Sequence, residues 1–244
     1  ATQINVLPYV CSHWKTNFYL MPVEINFSLL QSNVFRMFSI IESFNNVTSL
    51  KIDNTSILHV DRFPLQRRFT KINKLSYTGN NHDYGRNIIV IVTLMFQYFK
   101  ELTSIKLEYS HISISYLETI LSSNENITSI NLWQTRVDMG LFTRLIENGA
   151  LTSVKKLKYN SFKFKKYRYV EKEVCDQFFI AISKYCPDIE WLDVRNTGIT
   201  ELGLMSLKEC VGLKHLNIKG GYKLKKKMVK TLQKELPTTL IIFK

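Results

Sequence analysis

One apolar phrase recurs along the whole chain, and it dictates the architecture. Counting from its first residue, the phrase places apolar side chains at positions 1, 4, 6 and 11 and a small polar one at position 9. Val47, Leu50, Ile52, Thr55 and Ile57 fit it, as do Leu102, Ile105, Leu107, Ser110 and Ile112. Ile127, Ile130, Leu132, Thr135 and Val137 repeat it, then Ile189, Leu192, Val194, Thr197 and Ile199, then Leu213, Leu216 and Ile218. Weaker copies fill the gaps: Ile72, Leu75 and Tyr77 before Gly79, and Val154, Leu157 and Tyr159, where Leu151 competes as first position. Pro22 to Ser28 supplies a leading strand through Ile25 and Phe27, and Thr239 to Phe243 a closing one. Position 4 is filled by Leu50, Leu75, Ile105, Ile130, Leu157, Leu192 and Leu216, at separations of 25, 30, 25, 27, 35 and 24. Apolar residues alternating over so few positions form half-buried strands, and a period of this length signals a stacked repeat.

Between the strands the apolar spacing becomes helical. Val34, Phe35, Phe38, Ile40 and Ile41 predict one helix, and Leu117, Ile120 and Leu121 another. Leu141, Phe142, Leu145 and Ile146 predict the next, followed by Val174, Phe178, Phe179 and Ile182. Leu202, Met205 and Leu207 mark a short helix, and Met228, Val229, Leu232 and Leu236 the last. Ser113 and Thr200 stand where N-caps are needed, and Pro187 and Pro237 end the helices before them. A strand–helix unit of this size cannot hide its own apolar face, so neighbouring units must stack into one continuous core. The expected fold is therefore α/β: a solenoid of about eight repeats, with a curved parallel sheet inside and helices outside. Thr or Ser at position 9 is short enough to turn inward and bond loop backbone.

Cys186-Pro187-Asp188-Ile189-Glu190-Trp191-Leu192-Asp193-Val194, running on through Gly198-Ile199-Thr200-Glu201-Leu202-Gly203-Leu204, resembles the cysteine-containing leucine-rich repeats of F-box proteins. Cys210-Val211-Gly212-Leu213-Lys214-His215-Leu216-Asn217-Ile218 continues the pattern. The resemblance covers residues 23–244, and residues 1–22 stand apart as an N-terminal cap. Within that cap, Val10-Cys11-Ser12-His13-Trp14 resembles the phrase that closes an F-box, although only nine residues precede it. The resemblance implies substrate recognition for a ubiquitin ligase, with the ligase adaptor as one partner. The alternative is that Trp14 caps the open end of the first repeat.

Composition narrows the function classes. Lys and Arg outnumber Asp and Glu by 33 to 20, a formal charge of +13, which favours anionic partners; a Lys- and Asn-rich genome would give the same balance. The four Cys form no disulfide framework; Cys186 and Cys210 fall at equivalent repeat positions and are expected as a buried thiol pair in a reducing compartment. An intracellular setting follows, cytoplasmic or nuclear, or organellar if a targeting segment has been removed. No run approaches the roughly 20 apolar residues that span a bilayer. Neither a phosphate-binding loop, a nucleophile elbow nor a zinc-binding helix motif occurs, and the five His are dispersed. The chain is thus expected to be a non-enzymatic recognition module without cofactor or metal.

Strand alternation selects the residues that recognise. Side chains at positions 3, 5 and 7 point away from the core onto the concave face. The candidates for contact with a protein partner are Lys106, Glu108, Asn131, Trp133, Lys158, Trp191, Asp193, Arg195, His215 and Asn217. Trp and Arg dominate interface hot spots, so Trp133, Trp191 and Arg195 are expected at the centre. A second candidate is the insertion in the longest repeat, where Lys163, Lys165, Lys166 and Arg168 interleave with aromatics. That composition suits the alternative of a basic structural subunit in a nucleic-acid-containing or organellar complex, the charges meeting phosphate and the rings meeting bases. Lys223, Lys225, Lys226, Lys227 and Lys230 form a further basic cluster.

Overall fold

In the computed structural model, residues 23–26, 47–53, 71–79, 99–110, 112–160, 172–221 and 223–243 are described. Nine parallel strands form one sheet in strict chain order. They are β1 (Val23–Asn26), β2 (Val47–Asp53), β3 (Lys74–Thr78), β4 (Ser104–Glu108), β5 (Ser129–Leu132), β6 (Lys156–Tyr159), β7 (Trp191–Asp193), β8 (His215–Asn217) and β9 (Leu240–Ile242). Between them, among the described residues, lie α1 (Ile114–Ser122), α2 (Met139–Glu147), α3 (Lys172–Tyr185), α4 (Glu201–Ser206) with a 3-10 turn (Leu207–Glu209), and α5 (Lys226–Glu235). This is an α/β leucine-rich-repeat solenoid.

The repeat register is the one the apolar phrase requires. Leu50 pairs with Leu75, Leu75 with Ile105, Ile105 with Ile130, and so on through Leu157, Leu192 and Leu216 to Ile241. Each position-4 residue from Leu50 to Leu216 is at most 2% exposed, so each contributes roughly the 1.5–3 kcal/mol of a fully buried aliphatic side chain. A second device holds the register. The position-2 amide of each unit donates to the position-2 carbonyl of the unit before: Thr103 to Asn73 at 2.8 Å, Thr128 to Thr103 at 2.9 Å, Lys155 to Thr128 at 2.9 Å, Glu190 to Lys155 at 2.9 Å, and Lys214 to Glu190 at 2.8 Å. This ladder makes Val154 the first position of its unit, while Leu151 is buried beside it as additional core.

Position 8 turns the chain out of β4, β5, β7 and β8. Tyr109, Gln134 and Asn196 sit there with φ of 52°, 52° and 60°, and Gly220 with 77°. Gly220 and, after it, Asn196 are the residue types that suit the left-handed backbone, whereas Tyr109 and Gln134 are held there against their preference. Just beyond, at position 9, the Thr135 hydroxyl donates to the Leu107 carbonyl and the Thr197 hydroxyl to that of Val194. Ser110, at the same position, departs from this expectation: its buried hydroxyl has no hydrogen-bond partner. Ser lacks the methyl group with which Thr restricts its own rotamers.

Helix packing agrees with the spacing except at Leu141, which is 41% exposed, and in α4. Leu117, Ile120 and Leu121 are buried in α1, and Phe142, Leu145 and Ile146 in α2. In α4, however, Leu202 is 63% exposed and Leu204 is the buried residue. The phase slips because Gly203 lets α4 approach α3 closely: a Cβ at Gly203 would collide with Asp176. Ser113 also fails to cap α1; its hydroxyl pairs instead with that of Ser115 at 2.9 Å. Thr200 does cap α4 through the Leu202 amide, and Asp138 caps α2 through the Leu141 amide at 2.8 Å. An aromatic cluster joins α2, β6 and α3: Phe142, Tyr159 and Phe178 lie 5.3–5.8 Å apart by ring centroid, and Phe179 packs edge-on to Phe178. The helix expected at Val34 to Ile41 lies outside the described residues.

Candidate functional site

Parallel register places residues of equal repeat position side by side, so contacts on the concave face join residues far apart in sequence. Glu108 ends β4 at position 7. Its carboxylate accepts from Asn131 Nδ2 at 2.8 Å, lies 2.9 Å from Lys106 Nζ and 3.7 Å from Lys158 Nζ. Three strands are thereby tied across one carboxylate whose side chain is only 13% exposed.

Lys158 then leads to Trp133, its Nζ lying over the indole 4.4 Å from the centroid. From the other direction Arg195, two strands away from β5, brings its guanidinium carbon to 4.2 Å over the same ring. Arg195 is held there by Asp193, which accepts from Nε at 2.8 Å and from an Nη at 2.8 Å. Asp193 is 2% exposed. A buried carboxylate in a two-pronged contact fixes the guanidinium plane, which a lysine could not reproduce. Trp133 is half-buried, and each cation over its face adds about 0.5–1 kcal/mol of attraction.

Three concave residues serve the backbone of their own turns. Asn131 Oδ1 accepts from the Trp133 amide at 3.0 Å, Asp193 Oδ1 from Arg195 at 3.4 Å, and Asn217 Oδ1 from Lys219 at 3.2 Å. Each is an Asx turn from position 5 to position 7. The recurrence of Asn or Asp at position 5 is the sequence signal for it. Asp193 and Asn217, expected as contact residues on the concave face, are buried in these turns. In the stack, Asn160 stands between Trp133 and Arg195 at position 7; it is 4% exposed, and its Oδ1 has no hydrogen-bond partner.

Trp191 and His215 form a separate pair at position 3, their rings stacked 5.1 Å apart at 11°. Both are half-buried. Leu240 follows in register on β9 and is 60% exposed, which extends this strip with an apolar side chain that the repeat pattern had not singled out. Beside it Lys214 Nζ meets Glu190 at 2.7 Å, and this contact holds the Glu190 carboxyl below the usual range. Lys106, Glu108, Asn131, Trp133, Lys158, Asp193 and Arg195 thus come together, Trp191 and His215 pair nearby, and Asn217 supports its own turn.

Behind the sheet the thiols are core. Cys175, Cys186 and Cys210 are buried and unbridged. Burial pushes the Cys186 thiol up to about 12, with Cys210 adding to the effect; burial pushes Cys210 up to about 12, with Glu209 adding to it. Among the described residues no group of His, Cys, Asp and Glu could hold a metal ion, and no helix is long and apolar enough to cross a membrane. Lys163, Lys165, Lys166 and Arg168 of the basic insertion, and Val10 to Trp14 of the N-terminal phrase, lie outside the described residues.

Solved structures share this architecture. Internalin C2 of Listeria monocytogenes is similar with a TM-score of 0.52 at 14% identity, over 84% of this chain and 74% of that one. Internalin F of the same organism is similar at a TM-score of 0.46 and 13% identity, over 83% of this chain and 49% of that one. No protein-family model matches the sequence, and no curated protein does. The likeness to internalin C2 supports the leucine-rich-repeat fold and extends no further than the fold.

Proposed function

We propose that the chain is a non-enzymatic recognition module whose concave face binds a protein partner, centred on Trp133 and Arg195. One observation carries this reading: an aromatic ring and a guanidinium are held in fixed relation, 4.2 Å apart, by a buried carboxylate. Side chains ordered before binding lose less freedom on complex formation, so more of the contact energy remains as affinity. The face mixes Glu108 and Asp193 with its cations, which suits a protein surface better than a polyphosphate.

The resemblance of the Cys186 and Cys210 repeats to those of F-box proteins extends the proposal to substrate recognition for a ubiquitin ligase, with residues 1–22 as the cap and 23–244 as the recognition domain. Parallel affinity capture from the native source on the wild-type chain and on Trp133→Ala/Arg195→Ala tests the concave-face reading. The specific partner is expected on the first and absent from the second. Equal capture on both contradicts it. Recovery of a ligase adaptor with the wild-type chain would support the narrower reading, and its absence would leave that reading without support.

A further inference from the structure

The last helix carries its charge in an arrangement that stacking does not require. With 3.6 residues per turn, Lys226, Lys227, Lys230 and Lys234 of α5 fall within an arc of about 100°. All four are exposed, and none has a carboxylate within ion-pair distance among the described residues. The opposite side packs inward through Leu232, buried, with Met228 and Val229 half-buried. Lys226, Lys230 and Lys234 are spaced i, i+4, i+8 and form a straight row roughly 12 Å long. Such like-charge neighbours repel. Lys226 and Lys227 also occupy a first turn that holds no acidic residue, where the helix dipole disfavours cations. The row therefore works against the stability of its own helix, a cost that a bound anion would remove.

We propose that this row binds the phosphate backbone of double-stranded nucleic acid without regard to base sequence. The site lies on a helix, outside the sheet face, and is independent of the concave-face reading. Protein interfaces favour aromatics and Arg and are poor in Lys, whereas phosphate contacts are made by Lys and Arg as charges. The exposed side of α5 offers the four lysines, Thr231 and, about 80° beyond the lysine arc, Glu235. It has no exposed aromatic or aliphatic side chain to enter a bilayer, because the apolar residues of α5 face the core.

The test is a fluorescence-anisotropy titration of the full chain with a labelled 20-bp DNA duplex of arbitrary sequence, across a series of KCl concentrations. The comparison protein is Lys226→Gln/Lys230→Gln/Lys234→Gln, which removes repulsion and is expected to melt no lower than wild type. The account predicts that log K against log salt flattens in the variant by about 2–3 units, near 0.9 for each lost phosphate contact. Affinity at 100 mM KCl is expected to fall at least about tenfold. An unchanged slope and affinity would overturn the proposal, as would a wild-type chain that does not bind the duplex. Tighter binding to phosphatidylserine vesicles or to polyglutamate than to the duplex would overturn it as well, by assigning the row to another occupant.

Discussion

The guanidinium of Arg195 lies over the indole of Trp133, 4.2 Å from its centroid, although 62 residues separate the two in sequence. Asp193 makes that contact stable. Its carboxylate is buried, and the Arg195 side chain remains 30% exposed above it. Asp193→Asn keeps the shape but removes the charge that orients the guanidinium. The variant should lose about 1–3 kcal/mol of stability, typical of a hydrogen bond to a charged group. Urea denaturation measures it, and Arg195→Lys should lose part of the same increment because one ammonium cannot span both oxygens.

A loss of similar size is expected at Asn124, 2% exposed beneath the loop that leads into β4. Its Oδ1 accepts from the Leu102 amide at 3.0 Å and its Nδ2 donates to the Ile120 carbonyl at 3.0 Å. Asn124→Ala leaves both backbone groups buried and unpaired, at about 2–4 kcal/mol in total. Hydrogen exchange at the Leu102 amide should accelerate more than at β8.

Close helix approach makes Gly203 intolerant of any side chain. A methyl group there would collide with Asp176, whose carboxylate accepts from the Thr200 amide at 2.9 Å and from its hydroxyl at 2.6 Å. Gly203→Ala should therefore lower stability by about 1–3 kcal/mol through overpacking, even though alanine is the better helix former. Thermal unfolding monitored by circular dichroism shows the sign.

The strands were legible in the sequence because a period of two leaves no freedom: once Leu50, Leu75 and Ile105 are core, Lys106 and Trp133 must face the other way. Short helices were less legible. In six residues of α4 the phase cannot average out, and the inward side chain is Leu204, between the Leu202 and Met205 that the spacing suggested. The face of Trp133 could be assigned from alternation, but its neighbours could not. Lys158 and Arg195 reach it sideways across strands, through rotamers that no spacing rule encodes.

The paired thiols make a pH prediction. Cys186 and Cys210 titrate near 9 when unfolded and near 12 when folded. Between those values the unfolded chain releases protons that the folded chain retains, so their contribution is intact below pH 9 and is lost as pH rises toward 12. Cys186→Ala/Cys210→Ala should show a shallower fall in stability from pH 8.5 to 10.5 than wild type. At pH 8 in native buffer, a disulfide reagent should leave both thiols unmodified until denaturant is added.

The central claim is that Trp133 and Arg195 are preassembled to bind. Its most direct measurement is the equilibrium affinity of the captured partner for wild type and for Trp133→Ala, taken alongside the melting temperature of each. The account predicts that affinity falls by about 2 kcal/mol or more, roughly thirtyfold, while the variant remains folded at the assay temperature. A folded Trp133→Ala that binds within twofold of wild type would contradict it.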